Sequence, residues 1–569
     1  MTLKELTDRI TAKGRGPLFA AAVALLAGLL SVFTLPPTDR DESRFAEASA
    51  QMLESGDFTA PMFQDQPRFK KPVGIYWLQA ASVKLASGVE RRDIWAYRVP
   101  SLLGAGLAAA ACAWGAAAFL RPWAATMAGA ILGCTTALST EATIATTDAA
   151  LCGAITLSMA ALGRIYLAEH AGPAAGRWTK LLFWLGLAAS ILLKGPVGPM
   201  VAFLTIVTLV VWERKARWLR GLGWAWGLIV VCAVVLPWAL AITVATDGAF
   251  WGMAVGSDLA PKLVGGQEGH GEPPGYFLLL APVLLFPAVL LLPAAAVAAW
   301  RRRAEPGVRF ALAWLIPSWL AFEIVPTKLP HYVLPTFGAI VWLMAAALAG
   351  PMGPRVRWIG VLATLAVAVG ITAAGGVGAW LFGDWASWVW LAVAGLLYIA
   401  VGVAGGVLLG RERMGTATGV ACGLALVAHG VLLGGFAPTL SSLWLSQRVA
   451  ESLARANLNP RQGLVEGPVS VAGYAEPSLV FALGASTVLG GASDAAQAID
   501  EGRPAVVASG DEAAFQAALR ERDLSAKQVG AVSGLDYSSG HPQVLRLYEA
   551  APEPPVAAAR GAGAEGVGG

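Results

Sequence analysis

The sequence predicts a polytopic α-helical membrane protein with a small C-terminal α/β domain. Of its 569 residues, 56% are hydrophobic and only 14% are charged, whereas soluble proteins usually carry about 25% charged residues. Apolar stretches close to the roughly 20 residues that cross a bilayer recur along the chain. A soluble globular class is therefore excluded. The net charge of +4 is small, and no nucleic-acid partner is expected.

Hydropathy indicates about thirteen transmembrane helices. The predicted spans are 17–35, 99–120, 123–138, 147–167, 181–193, 196–212, 222–244, 276–300, 310–325, 332–349, 359–382, 388–409 and 417–436. The first run is too long for a signal-peptide core, and no small-residue cleavage site follows it, so we interpret it as a retained span. The five cysteines fall in apolar spans without zinc or redox spacing, and we interpret them as small core residues.

The basic residues predict the orientation of these spans. Lys4, Arg9, Lys13 and Arg15 precede the first span, and further clusters such as 214–220 and 301–303 follow on the same side of a thirteen-span chain. Because Lys and Arg favour cytoplasmic loops, the N-terminus is expected in the cytoplasm and the C-terminus in the periplasm.

The chain divides by composition into a membrane domain, 1–438, a periplasmic α/β domain, 439–550, and a disordered tail, 551–569. The first periplasmic loop, 36–98, is long and carries two predicted juxtamembrane helices. Thr38 and Asp41 are spaced as in a capping box, and Phe45 then shares a face with later apolar residues, which indicates an amphipathic interfacial helix. In the second domain we predict helices at 443–456 and 512–522 and strands at 469–471, 505–508 and 544–547.

Ionisable residues beside the spans are the functional candidates, because each costs about 2.5–3.5 kcal/mol at the centre of a membrane helix. On the predicted topology they converge on the outer face of the membrane. They are Asp41, Glu42, Arg44, Lys71, Glu141, Asp148, Lys194, His270, Glu323, Lys328 and His331. A transporter is expected to hold its charges near the midplane instead.

Each candidate also has a structural interpretation. Asp41 could be the acid of a capping box, and Asp148 could be favoured by a helix N-terminus. Lys194 and Lys328 could extend their ammonium groups to the interface, and His270 could be an incidental loop residue. Arg98 could anchor the head of its span, while Glu42 and Glu47 could form a solvated helix face, the favoured interpretation for Glu47.

Several short motifs, taken in order, carry a family resemblance. They are Asp41-Glu42-Ser43-Arg44-Phe45-Ala46-Glu47, Lys71-Pro72 with Tyr76-Trp77, Tyr97-Arg98-Val99-Pro100-Ser101, Thr147-Asp148, Leu193-Lys194-Gly195-Pro196 and Thr327-Lys328-Leu329-Pro330-His331-Tyr332-Val333-Leu334-Pro335. As a series over 18–350 they resemble the GT-C glycosyltransferases of family 39, with the ArnT-like aminoarabinose lipid A transferases and, more distantly, the protein O-mannosyltransferases. The fold class implied is GT-C.

The resemblance implies an inverting transferase that takes a sugar from undecaprenyl phosphate or another polyprenyl phosphate at the periplasmic face of a bacterial inner membrane. The protein is expected to be a monomer.

 The acceptor implied is lipid A or another envelope glycolipid or glycan. By this resemblance the catalytic residues are Asp41, Asp148 and Glu42. The residues implied to bind substrate are Arg44, Lys71, Lys194, Lys328, Tyr332, His270 and Arg98. Lysines suit a phosphate leaving group because they stabilise its developing charge.

One position departs from the family pattern. Lipid A transferases have an acidic residue before the Lys-Pro that helps to bind a metal ion with a loop histidine, and here that position is Lys70. We therefore predict no metal site and no certain cofactor. Three alternatives stay open: a protein O-glycosyltransferase, a transporter or flippase of lipid-linked sugars, and an assembly protein that binds partners through its C-terminal domain.

Overall fold

The computed structural model describes residues 14–170, 175–266 and 270–551. The basic residues Lys4, Arg9 and Lys13 and the predicted tail beyond residue 551 lie outside these ranges. The chain forms two compact units, Met1–Trp444 and Leu445–Gly569. The division falls six residues after the boundary that composition suggests at 438 and 439.

The first unit is helical and contains membrane-spanning segments. Within the described residues, nine helices are long and apolar enough to cross a membrane: Gly16–Thr34, Ile94–Ala116, Asp148–Ala168, Trp224–Ala245, Pro306–Ile324, Pro330–Ala347, Pro354–Phe382, Trp385–Gly410 and Met414–Thr439. A further pair, Tyr276–Leu284 and Ala288–Arg301, is bent by 109° and makes a tenth if it is one span. Other helices of this part are Pro122–Gly133, Thr136–Glu141, Arg177–Lys194 and Val197–Glu213. The protein is therefore a multi-pass membrane protein.

All thirteen predicted spans coincide with helical segments, but several are shorter or broken. The segment predicted at 123–138 breaks before Thr136, whose N–H donates to the carbonyl of Phe286 at 2.9 Å instead of continuing the helix. The helices Arg177–Lys194 and Val197–Glu213 are separated by Gly195, which has a φ of 61° that glycine adopts without strain. The thirteen-span count stays a prediction.

Small residues bring two central helices into close contact. A Cβ on Gly104 would lie 2.5 Å from Ala150 Cα, and a Cβ on Gly153 would lie 2.6 Å from the Gly104 carbonyl oxygen. Such contacts let helix backbones approach closely inside a membrane. The helix Asp148–Ala168 is consequently buried, and its first residue, Asp148, is held at a fixed place in the bundle.

The first loop folds into two helices, Asp41–Ser55 and Gly74–Ala86, around a hairpin of strands β1, Met62–Phe63, and β2, Gln66–Pro67. The sequence suggested that Glu42 and Glu47 could form a solvated face of the helix Asp41–Ser55. Both residues are instead buried, because this helix is packed within the first unit. Glu47 is fully buried, and its carboxylate lies 2.5 Å from Arg92 Nη1.

The predicted capping box is wrong. Thr38 does not pair with Asp41. Its N–H and hydroxyl both donate to the Glu42 carboxylate, at 2.8 and 2.9 Å. The cap position of the helix is Arg40, with φ 61° and no side-chain capping bond. Asp41 is therefore not engaged in capping its own helix.

The second unit contains a five-stranded sheet with the order β4-β3-β5-β7-β6. Its strands are β3, Ser470–Ala472, β4, Val488–Gly490, β5, Ala505–Ala508, β6, Ala526–Asp536, and β7, His541–Ala550. Its main helices are Leu445–Arg455, Pro477–Leu483, Ala492–Asp500 and Glu512–Glu521. β4 and β5 run parallel to β3, while β7 is antiparallel to both β5 and β6.

Alternate residues of β5 enter two separate cores of this unit. Val506 packs with Val449 and Leu547, whereas Val507 packs with Phe515 and neighbours on the other face. This alternation is that of a strand covered on both sides. The predicted α/β architecture is therefore present in the second unit.

Candidate active site

A cavity of about 230 Å³ lies among the loops of the first unit. Residues of the first loop, of 141–148, of the helical segment 249–264 and of 327–332 line it. Of the ten residues to which the family resemblance gives a catalytic or substrate-binding role, eight line it: Asp41, Glu42, Arg44, Lys71, Asp148, Lys194, His270 and Tyr332. Two other sequence candidates, Glu141 and His331, line it as well. Arg98 and Lys328 do not line it.

Asp41 is far more exposed than Glu42, Glu141, Asp148 and Asp258, the other carboxylates of this cavity for which the structure shows an ion pair. It is the first residue of the helix Asp41–Ser55, and its side chain is 65% exposed. Arg68 Nη2 lies 3.9 Å from its Oδ1, and the same guanidinium lies over the ring of Phe45, 4.8 Å from the centroid. A carboxylate this open can contact a substrate directly.

Glu42 and Arg98 form a buried ion pair behind this helix start. Arg98 Nε lies 2.7 Å from Glu42 Oε1, and Arg98 Nη2 lies 3.0 Å from Oε2. The carboxylate also accepts the N–H of Ala145 at 2.8 Å, besides the two bonds from Thr38. Arg98 donates further to carbonyls of 32–36. These groups satisfy one another, so both residues fix the local backbone. The catalytic role expected of Glu42 and the substrate-binding role expected of Arg98 stay predictions.

Asp148 lies within a line of alternating charges. Lys194 Nζ is 2.5 Å from its Oδ1, while the hydroxyl of Thr147 donates to Oδ2 at 3.1 Å. His331 Nε2 lies 3.6 Å from the same Oδ2, and His331 Nδ1 lies 3.2 Å from Glu141 Oε1. Asp148 is thus held by its neighbours, which makes it a less accessible carboxylate than Asp41.

Lys194 also contacts the aromatic wall of the cavity. Its ammonium lies 4.7 Å from the centroid of the Tyr332 ring, a cation–π arrangement. Behind it, a Cβ on Gly74 would lie 2.7 Å from the carbonyl oxygen of Leu192. The helix that follows Lys71 therefore rests directly on the end of the helix that carries Lys194.

Lys71 and Lys262 converge on one carboxylate, Asp258. Lys71 Nζ is 3.0 Å from Oδ2, and Lys262 Nζ is 2.7 Å from Oδ1. Burial lowers the pKa of Lys71 to about 8, although the attraction of Asp258 opposes this shift. Burial alone would raise the pKa of Asp258, but the two lysines outweigh it and hold that pKa below its usual value.

His270 is positioned by pairing between two loops. The N–H of Lys328 donates to the His270 carbonyl at 3.0 Å, and Gly271 bridges to Thr327. Lys328 itself is buried and donates its ammonium to the Glu272 carbonyl at 2.6 Å. Its ammonium group therefore supports the loop in this structure and does not line the cavity, so its expected contact with substrate stays a prediction.

Arg68, Asp258 and Lys262 also line the cavity, although the sequence did not single them out. Arg68 stands next to the motif residues but outside them. Asp258 and Lys262 are four residues apart in a helical segment, a spacing that places opposite charges side by side. An Asp and a Lys at this spacing within the apolar, glycine-containing stretch 249–264 could have indicated from the sequence that these two residues belong to the site.

The residues present do not fit the metal site that the family resemblance implies. Lys70 lines the cavity where an acidic ligand was expected. Across the described parts of the chain, no group of three or more His, Cys, Asp or Glu side chains could hold a metal ion. No step of the chemistry below is therefore assigned to a metal.

Comparison with known proteins gives consistent matches. Residues 17–251 match the family described as dolichyl-phosphate-mannose-protein mannosyltransferase. The chain is 30% identical over 313 residues to the undecaprenyl phosphate-alpha-4-amino-4-deoxy-L-arabinose arabinosyl transferase of Pseudomonas paraeruginosa, covering 54% of this chain and 55% of that protein. It is 28% identical over 336 residues to the Yersinia pestis protein of the same name, covering 58% of each. The matched region thus spans about half the length of these relatives.

The same fold occurs in crystal structures of ArnT from Cupriavidus metallidurans. The structure bound to undecaprenyl phosphate has a TM-score of 0.75 and 22% identity, covering 94% of this chain and 98% of that one. The apo structure has a TM-score of 0.73, with 93% and 97% covered. The protein therefore has the GT-C fold. Its membrane part is also similar in sequence to the arabinosyl transferases above, in agreement with the resemblance that the ordered motifs carry.

Proposed function

We propose that the protein is an integral-membrane glycosyltransferase that uses a polyprenyl-phosphate sugar and modifies lipid A or another envelope glycolipid or glycan. The observation that carries the proposal is a single cavity that holds the open carboxylate of Asp41 together with the ammonium groups of Lys71, Lys194 and Lys262. The similarity to the arabinosyl transferases named above supports undecaprenyl phosphate as the donor lipid.

The lysines are placed to stabilise the phosphate leaving group of this reaction. An acceptor oxygen attacks the anomeric carbon, the bond from that carbon to the phosphate oxygen breaks, and the polyprenyl phosphate leaves with the bonding electrons. The cations at Lys71 and Lys262 offset the charge that develops on this phosphate. A single displacement of this kind inverts the configuration of the sugar.

Asp41 is placed to act on the acceptor, which is the attacking group. If the acceptor is a hydroxyl, the carboxylate takes its proton as the new bond forms. If the acceptor is a phosphate, no proton has to be removed, and Asp41 orients the sugar or pairs with a cationic group on it. Asp148 acts through Lys194 and His331, which it holds at the cavity.

We further propose that this cavity opens to the periplasm from the inner membrane, with the N-terminus in the cytoplasm and both the cavity and the second unit outside. The charge distribution of the loops supports this orientation. In that arrangement the cavity lies beside the leaflet that carries periplasmic-face lipid substrates.

The test is the substitution Asp41→Asn, assayed in membranes with radiolabelled polyprenyl-phosphate sugars. We expect transfer to a hydroxyl acceptor to fall by about 10²–10⁴-fold, the usual contribution of a general base. Asp65→Asn is the matched control, because Asp65 is an exposed acid of the same loop outside the cavity. Undiminished transfer by a normally expressed Asp41→Asn protein would refute the role of Asp41.

A second candidate function is protein O-glycosylation, favoured by the match of residues 17–251 to the protein mannosyltransferase family. Mass spectrometry of lipid A, glycans and envelope proteins in a deletion strain separates the two. Loss of a sugar from lipid A or a glycan supports the first function. Loss from proteins alone supports the second.

A further inference from the structure

Two lysines of the cavity share one internal carboxylate rather than standing free. Lys71 comes from the first loop, whereas Asp258 and Lys262 come from the helical segment 249–264. The side chains of Lys71, Asp258 and Lys262 are 20%, 10% and 25% exposed, and all three residues line the cavity. The carboxylate uses one oxygen for each ammonium, at 3.0 and 2.7 Å.

A phosphate group could make the same pair of contacts. Like a carboxylate, it offers neighbouring negatively charged oxygens, and lysine ammonium groups bind phosphate as point charges. Asp258 and a phosphate cannot occupy the same place between Lys71 and Lys262. The arrangement therefore sets an internal anion in competition with an anionic ligand.

The segment that carries Asp258 has open space beside its glycines. Residues Gly252–Leu259 form a π-helical stretch, a form often found at functional sites. Added Cβ atoms on Gly252, Gly256 and Gly265 would meet nothing within 4 Å. The backbone at these glycines is thus not wedged against neighbouring elements.

We propose that Asp258 is a competing anion that weakens the binding of phosphate at Lys71 and Lys262 and so promotes release of the polyprenyl-phosphate product. This inference rests on the proposed function. The sugar donor is a phosphodiester with one negative charge, whereas the product is a phosphomonoester with about −1.5 to −2 charge at pH 7. The product would bind two lysines more tightly than the donor does. The return of Asp258 weakens the binding of both and so speeds the release of the more tightly held product.

The experiment compares wild-type protein with Asp258→Asn in two assays. In the first, purified full-length protein in detergent micelles is titrated with undecaprenyl phosphate. We expect Asp258→Asn to lower the Kd by about tenfold, since one competing charge-assisted contact is removed. In the second, product inhibition of sugar transfer is measured, and the Ki for undecaprenyl phosphate is expected to fall in parallel.

Two further variants make the result specific. Asp247→Asn removes an acid from the same region of the chain, where Asp247 is exposed and does not line the cavity, and it should leave Kd and Ki unchanged. Lys262→Gln should raise both constants, because it removes a cation from the phosphate site.

Each outcome has a distinct meaning. An unchanged or raised Kd in Asp258→Asn, with wild-type binding intact, overturns the inference and leaves the proposed function standing. Tighter binding in Asp258→Asn, with no sugar transfer by the wild-type protein, supports the competition between Asp258 and phosphate but overturns the proposed reaction. A wild-type protein that does not bind undecaprenyl phosphate removes the donor class, and the inference falls with it.

Discussion

At the scale of single residues, the protonation of Lys71 should control activity. Its pKa is lowered to about 8 by burial. Below that pH the ammonium is positive and attracts the donor phosphate, whereas above it the amine is neutral and the attraction is lost. We therefore expect kcat/KM of the free enzyme to fall as the pH rises through about 8.

A Lys71→Arg variant tests this assignment, because a guanidinium stays charged throughout this range. Its kcat/KM should be lower near neutral pH, since the geometry of the contact differs, but the fall near pH 8 should disappear. Lys84→Arg, on an exposed position of the next helix, is the control and should keep the fall. If kcat/KM of Lys71→Arg still falls with rising pH as it does in the wild-type protein, a group other than Lys71 is responsible for the fall.

The sequence was informative about which residues approach the cavity and less so about what they touch. The ordered motifs correctly brought Asp41, Asp148 and Lys194 together. They could not show that the charge of Lys328 is used by the Glu272 carbonyl, since a side-chain direction depends on the loop opposite. The contact between Lys71 and Asp258 joins residues 187 positions apart, so no local pattern contains it.

At the scale of elements, the Glu42–Arg98 pair should be essential for the fold. It joins the start of the helix Asp41–Ser55, the helix Ile94–Ala116 and the backbone at Ala145. Removing one partner leaves the other charge buried and unpaired, which costs about 3–5 kcal/mol. We expect Arg98→Met to lower the thermal stability of the purified protein sharply.

The matched control is the exposed pair of Arg302 and Glu305, whose side chains are 31% and 50% exposed. Exposed pairs contribute about 0–1 kcal/mol, so Glu305→Gln should leave the unfolding temperature nearly unchanged. Similar small effects from both substitutions would show that Glu42 and Arg98 do not hold these elements together.

Element boundaries were predictable where hydropathy alone determines them. The first span, predicted at 17–35, is the helix Gly16–Thr34. The break before Thr136 was not predictable, because it depends on a hydrogen bond to Phe286, far along the chain. Strand β6, Ala526–Asp536, was also missed, since it has few of the apolar alternations that mark a strand and is defined by pairing with β7.

At the scale of the whole molecule, the orientation in the membrane can be tested with a reporter fused after Ser442. This position precedes the division between the two compact units at Trp444 and Leu445. We expect a periplasmic reporter to be active there and a cytoplasmic reporter to be inactive. Fusion after Arg303, which lies in a predicted cytoplasmic loop, is the control and should give the opposite pattern. Cytoplasmic activity at Ser442 would contradict the thirteen-span orientation.

The fold class was predictable from the sequence because a membrane imposes strong constraints on composition and periodicity. The α/β class of the second unit was also predictable from short apolar runs such as 505–508, which is strand β5. The number of crossings was not, since short helices such as Pro122–Gly133 satisfy no simple length rule.

The close contact at Gly74 has a consequence for comparing relatives of this protein. Because the backbone of that helix rests on Leu192, the separation of Lys71 from Lys194 depends on a missing side chain. The size of the residue at position 74 in a related sequence therefore indicates how wide its cavity is. A relative with a larger residue there must widen the gap between its two lysines or shift one of the helices, and it would accommodate a bulkier sugar or a differently placed phosphate.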